Sequence, residues 1–282
     1  MDYLVIIENS PYFHWQAELL IESFKMKNLE DKLAIGIVDN KLKQKQQFNH
    51  TRNLINHKRT FSFKERTTHS SPSNFPYGAY LAVQEKFVEQ PFVLLHADTV
   101  LLHPIKVEET NITFSRDDVA LKDIIENTDF ETYFDLILKR RKIPTLNIPP
   151  VGSVCQFNDV QPLFFEQMIM WADFLTNKWS KENWKYINKS ALVLTCADFL
   201  GILTIQGKNY EIPLMAHFGK HNFIHYSKGL PPKFHKSMFT YNPTKIVFSN
   251  TNNPFQVLLE NNPTTTTNYV QNVIHSYKRK KI

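Results

Sequence analysis

Apolar runs and polar breaks alternate through the first hundred residues in a pattern that predicts strands and helices in turn. Tyr3 to Ile7 is a short, partly β-branched run closed by Glu8-Asn9-Ser10-Pro11, the signature of a strand ending in a turn. In YFHWQAELLIESFKMKN, Trp15, Leu19, Ile21 and Phe24 recur at roughly helical spacing. KLAIGIVDN reads as a second buried strand ending at Asp39-Asn40, and the Lys- and Gln-rich piece from Lys41 to Gln47 reads as a loop or exposed helix. RTFSFKE supplies a third strand. SSPSNFPYGAYLAVQEKFVEQ reads as a loop and then a helix with Pro76 near its first turn, where a missing amide costs nothing. Phe92 to Leu95 is a fourth strand. The order β-α-β-β-α-β predicts an α/β fold with a mostly parallel sheet.

After Pro104 the pattern changes. NITFSR predicts a strand, Asp117 to Lys142 a charge-rich helical stretch, and IPTLNIPPVGSVCQFND strand-like chain around a proline turn. QPLFFEQMIMWADFLTNKW has amphipathic helical periodicity, and SALVLTCADFLGILTIQ reads as a buried helix. HFGKHNFIHYSKGLPPKFHK is polar and rich in turn residues, and the chain closes on a surface helix and tail. With no internal repeat and no long linker in 282 residues, the expectation is one domain over 1–282, in which 1–105 form a ligand-binding half, 106–240 a second half and 241–282 an extension.

Composition narrows the classes. The hydrophobic share of 42% belongs to a globular chain with a substantial core. The net charge of +6 suits anionic small molecules but is too small and dispersed for a nucleic-acid partner. No apolar stretch approaches the roughly 18 residues of a membrane span. The N-terminus lacks the basic start of a signal peptide, so a cytoplasmic location is expected, and the sequons NHT, NIT and NKS read as chance matches. Cys155 and Cys196 stand among apolar residues and read as buried free thiols.

In a parallel sheet, ligands gather at the carboxyl ends of the strands. Three polar groups fall there: Glu8-Asn9, Asp39-Asn40 and His96-Ala97-Asp98. Any one is an ordinary turn; three together favour a shared cleft. The stretch PFVLLHADTVLLHPI, with its strand, its Ala-Asp step and its return to apolar residues, resembles the metal-binding step of GT-A glycosyltransferases. NFPYGAYLAVQEKF is similar to the helix preceding that step in relatives acting on hydroxyproline- or serine-bearing proteins. NFIHYSKGLPPKF is similar to the C-terminal histidine segment of many such enzymes. The resemblance runs from about Tyr3 to about Lys236. One departure is plain: the usual motif is Asp-x-Asp, and His96 stands in place of its first acid.

The resemblance implies a GT-A-like fold: a central, mostly parallel sheet flanked by helices, with a C-terminal acceptor side. It implies transfer of a sugar from a nucleotide-sugar donor to a hydroxyl on a glycan, glycoprotein or other acceptor, assisted by Mn²⁺ or Mg²⁺. A divalent cation neutralises the departing diphosphate, and oxygen ligands suit both ions while Mn²⁺ also accepts imidazole. The expected metal residues are Asp98 and His225, with His96 beside them; His217, His221 and His235 crowd His225 and remain alternatives. Donor contacts are expected from Ile7, Glu8, Asn9, Asp39, Arg52, Asn74, Tyr77, His96, Ala97, Lys228 and Gly229, with Arg59 read as solvated. An inverting reaction needs a base, for which Asp198 is the first candidate, ahead of Glu166 and Asp173; a retaining reaction needs none. Two other readings stay open: a non-catalytic glycan- or nucleotide-binding module of the same fold, and a sugar-phosphate nucleotidyltransferase. The latter ranks lower because ENSPYFHW lacks the glycines of a phosphate loop.

Overall fold

The computed structural model describes residues 1–9, 11–39, 54, 57–66, 72–97, 99–101, 104–105, 111–114, 118–142, 154–200 and 215–217. It is a mixed α/β fold built on a six-stranded sheet. In chain order the strands are β1 (Asp2–Glu8), β2 (Leu33–Asp39), β3 (Thr60–Lys64), β4 (Phe92–Leu95), β5 (Thr99–Leu101), β6 (Ile112–Phe114), β7 (Cys155–Phe157) and β8 (Met215–His217). The main sheet has the order β3-β2-β1-β4-β7-β6, and β5 pairs with β8 in a small second sheet. Strands β1 to β4 are mutually parallel, whereas β7 runs antiparallel to both β4 and β6. The mostly parallel sheet expected from the sequence is therefore present.

The helices are α1 (Pro11–Lys25), α2 (Asn74–Gln84), α3 (Asp118–Asn127), α4 (Phe130–Arg141), α5 (Pro162–Lys178) and α6 (Ile187–Thr195). Strand residues alternate between faces, so β1 sends Tyr3, Val5 and Ile7 to one side and Leu4 and Ile6 to the other. The first set packs with Leu20, Ile21 and Phe24 of α1. The second packs with Ala79 and Ala82 of α2 and, further along, with α4, α5 and α6. Burial on both faces explains why β1 and β2 read as continuous apolar runs rather than alternating ones. Gly36 of β2 and Gly78 of α2 let these layers close: a Cβ on Gly36 would stand 2.6 Å from the Cδ1 of Ile6, and one on Gly78 would stand 2.8 Å from the same atom.

Two elements differ from expectation. The helical stretch from Asp117 to Lys142 is two helices, because Thr128 interrupts it. Its hydroxyl donates to the Ile124 carbonyl at 2.7 Å and accepts from the Phe130 amide at 3.2 Å, ending one helix and starting the next. Asp129, at the junction, accepts from the Trp179 indole at 2.6 Å and the Tyr133 hydroxyl at 2.5 Å. The apolar run near Ser190 begins earlier than expected, at Ile187, and widens after Thr195 into a π-helical turn, Cys196–Leu200. Both cysteines are free and buried, and burial pushes both thiols up.

Candidate functional site at the carboxyl edge

The parallel strands β1 to β4 end on one edge of the sheet, and register fixes the neighbours there. Glu8 stands beside Val38, and Asp39 beside Lys64. The Asn9 amide donates to the Val38 carbonyl at 3.1 Å, and the Glu65 amide to the Asp39 carbonyl at 3.3 Å. His96 and Ala97 follow β4 on this edge. Glu8-Asn9, Asp39 and His96 are thus brought to a common edge.

Helix α2 begins at the same edge and packs against both the sheet and α5. Buried Asn74, its first residue, accepts the Arg66 amide on Oδ1 at 3.1 Å. Phe75 lies 5.6 Å, ring to ring, from half-buried His96. Tyr77 packs edge-to-face on Phe63 at 5.7 Å, and the Arg66 guanidinium lies 5.8 Å over the Tyr77 ring. Arg66 also pairs with Asp173 of α5 at 3.1 Å. A connected set therefore runs from the end of β4, across the start of α2, to the end of β3. Arg66 is the residue that sequence reasoning missed. Its signal was its place directly behind FSFKE, a strand end of the same kind as the three already singled out.

The chain beyond residue 98 is also tied down. The Thr99 hydroxyl donates to the His96 carbonyl. The Leu101 amide donates to Ser23 Oγ of α1 at 3.1 Å, and the Ile105 amide to the Tyr3 hydroxyl at 3.0 Å. Burial pushes the Tyr3 hydroxyl up despite that amide. In the small sheet, β8 runs antiparallel to β5 and sets His217 opposite Thr99, one residue beyond Asp98. Register thus sets His217 just past the end of β4.

The remaining expected residues fall in different surroundings. Ile7 and Ala97 are core residues of the α1 face, so only their backbone is available to a ligand at the edge. Asp98, Arg52, His225, Lys228 and Gly229 lie outside the described residues, as do His221 and His235. Among the described residues no three His, Cys, Asp or Glu side chains come together as a metal cage.

Asp198 is buried in the π-helical turn and accepts from Arg140, from Arg141 at 3.1 Å and from Gln167 at 2.9 Å. This cluster stands beside the first turns of α5, where Phe199 packs on Phe164 and Phe164 on Phe157, which pairs with the start of β4. Gln167 precedes Asp173, the partner of Arg66, by roughly 9 Å of helix. Two guanidiniums pair with the one carboxylate. That setting fits a structural ion-pair centre.

Arg59, expected to be solvated, instead forks onto Asp2 at 3.0 and 2.7 Å and donates to the carbonyls of Asp31 and Phe87. The Glu89 amide donates to the same carboxylate at 3.0 Å. These contacts fasten the amino edge of the sheet, opposite the candidate site.

No protein-family model matches the chain, and no curated protein matches it. Among solved structures, the apo structure of the bifunctional glycosyltransferase WbbM aligns at 12% identity and a TM-score of 0.36, over 60% of this chain and 34% of that one. The chain therefore spans about a third of that protein's length. The galactosyltransferase LgtC, in complex with donor and acceptor sugar analogues, aligns at 9% identity and a TM-score of 0.38, over 69% of this chain and 70% of that one.

Proposed function

We propose that the carboxyl edge binds a nucleotide-sugar and that the protein is a GT-A-type glycosyltransferase acting on a hydroxyl acceptor. The observation that supports this best is the pairing of β8 with β5, which sets His217 opposite Thr99 just past the end of β4. In this reading Asp98 and one histidine of the C-terminal segment hold Mn²⁺ or Mg²⁺, which when bound neutralises the diphosphate leaving group. Glu8, Asn9 and Asp39 face the nucleoside, Asn74 and Tyr77 shape the start of α2, and His96 orients the donor by a hydrogen bond. His96 brings no negative charge, so the cation is held by fewer anionic ligands than an Asp-x-Asp pair provides. Arg52, Lys228 and Gly229 are assigned to the diphosphate on the sequence alone.

The test is a thermal-shift series with UDP, GDP, CMP and dTDP and their sugars, each with Mn²⁺ and with EDTA. Binding to the native state raises the melting midpoint by mass action. The expected result is a Mn²⁺-dependent shift with one nucleotide, lost in Asp98→Ala without loss of fold. A shift that ignores the metal keeps the donor cleft and removes the Asp98 site. The replacement of the first acid by His96 favours a second reading, a binding module without turnover. Slow hydrolysis of the recognised nucleotide-sugar separates the two, because a pure binder leaves it intact.

A further inference from the structure

Five large apolar side chains are exposed among the described residues, and four of them lie on two neighbouring helices. They are Leu136 of α4, 59% exposed, and Leu163, Met170 and Phe174 of α5, 54%, 54% and 36% exposed. On α5 these three are spaced at i, i+7 and i+11, which at about 100° per residue puts them within roughly 40° of one another on the outward crown. Leu136 belongs to the same face, because α4 and α5 are bridged on either side of it. Tyr133 meets Phe174 edge-to-face at 5.2 Å, and Arg140 and Arg141 meet Gln167 through Asp198.

Charge around this crown is largely sorted, with Asp129, which accepts from Tyr133 beside Phe174, the acid on its α4 side. On the α4 side stand Lys139, Arg140, Arg141 and Lys142 at the end of α4, all exposed, and Lys178, whose ammonium lies 5.9 Å over the Phe174 ring. The acids of α5 are on its other flank: Glu166 accepts the Tyr80 hydroxyl and Asp173 holds Arg66. On α4, Glu131 and Asp135 fall on the flank turned away from α5, as the helical repeat requires. An apolar crown with cations beside it matches a bilayer surface with anionic headgroups: the apolar tips enter the interface while the long basic side chains reach the phosphates.

We propose that the α4–α5 face docks the protein on an anionic lipid surface. Asp198 then has a clear task, since it holds Arg140 and Arg141 at that face while leaving their guanidiniums exposed. This docking does not depend on the sugar-transfer reading.

The test is co-sedimentation of the full chain with vesicles of phosphatidylcholine alone and of phosphatidylcholine with phosphatidylglycerol, at low and high salt. The double variant Leu163→Ser, Met170→Ser and the single variant Leu136→Ser are measured beside it. All three positions are exposed, so the melting midpoint is expected to stay put. Sedimentation with the anionic vesicles only, weakened by salt and reduced at least about tenfold in the double variant, is the expected result. Absence of sedimentation overturns the proposal, and so does equal sedimentation with neutral vesicles. Unchanged sedimentation of both variants overturns it as well, assigning the binding to other basic chain such as Lys278 to Lys281. Concentration-dependent self-association without vesicles, abolished by the same variants, overturns it by making the face a protein interface.

Discussion

Asp198 and Arg66 are both charged residues beside apolar elements, and their partners give them opposite tasks. Asp198 is buried and engaged by two arginines and a glutamine, so its removal strands Gln167 and leaves the arginines unanchored. Both arginines keep substantial contact with water, which discounts the ion pairs. Asp198→Ala is therefore expected to lose about 1–3 kcal/mol of stability, read as the shift of a urea midpoint. An unchanged midpoint with turnover reduced by orders of magnitude would instead make Asp198 the catalytic base. From sequence alone Asp198 was a lone acid in an apolar run, because its partners lie 31 and 57 positions away. Arg66 was invisible for a related reason: what makes it part of the site is Tyr77 beneath it and Asp173 across from it, contacts that no local pattern encodes.

At the scale of elements, the layer of α2 on the sheet rests on two glycines facing the same isoleucine. A methyl on Gly78 would meet the Phe63 ring at 2.7 Å as well as Ile6. Alanine improves helix propensity by about 1 kcal/mol, and overpacking costs about 1–3 kcal/mol. Gly78→Ala is expected to lower stability despite the better propensity. Because Gly36 meets the same Ile6 atom, adding Gly36→Ala should give a non-additive total in a double-mutant cycle. Strict additivity would mean that Ile6 swings clear. The strands of this layer were legible because burial on both faces writes itself as unbroken apolar runs. The break at Thr128 was not, because solvent-facing charged residues continue on both sides of it and only the hydroxyl geometry reveals the stop. β5 was hidden for another reason: Thr99 to Leu101 read as a resumption of the preceding apolar run, while its pairing partner β8 lies more than a hundred residues later.

At the scale of the whole molecule, the sheet is fastened at one edge and offered to ligands at the other. Burial pushes the Asp2 carboxyl up, but the Arg59 fork, the Glu89 amide and Lys32 outweigh it and hold it below the ordinary value of 3.8. Asp129 is lowered likewise, with Tyr133 and Trp179 overcoming burial. A depressed carboxyl contributes stability that is fully present above its unfolded value and disappears as pH falls through the folded one. Urea midpoints should therefore hold steady from about pH 7 to about pH 5 and fall below about pH 4. Arg59→Gln should be less stable at neutral pH and show a shallower acid decline. An acid decline as steep as that of the unaltered chain would place its source elsewhere. Strand order carries one more consequence, for synthesis on the ribosome. β1 is made first yet lies inside the sheet, with β2 on one side and β4 on the other. Its second flank stays open until residue 95 has emerged, so nascent chains halted between β3 and β4 should bind holdase chaperones, and those extended past β4 should be released.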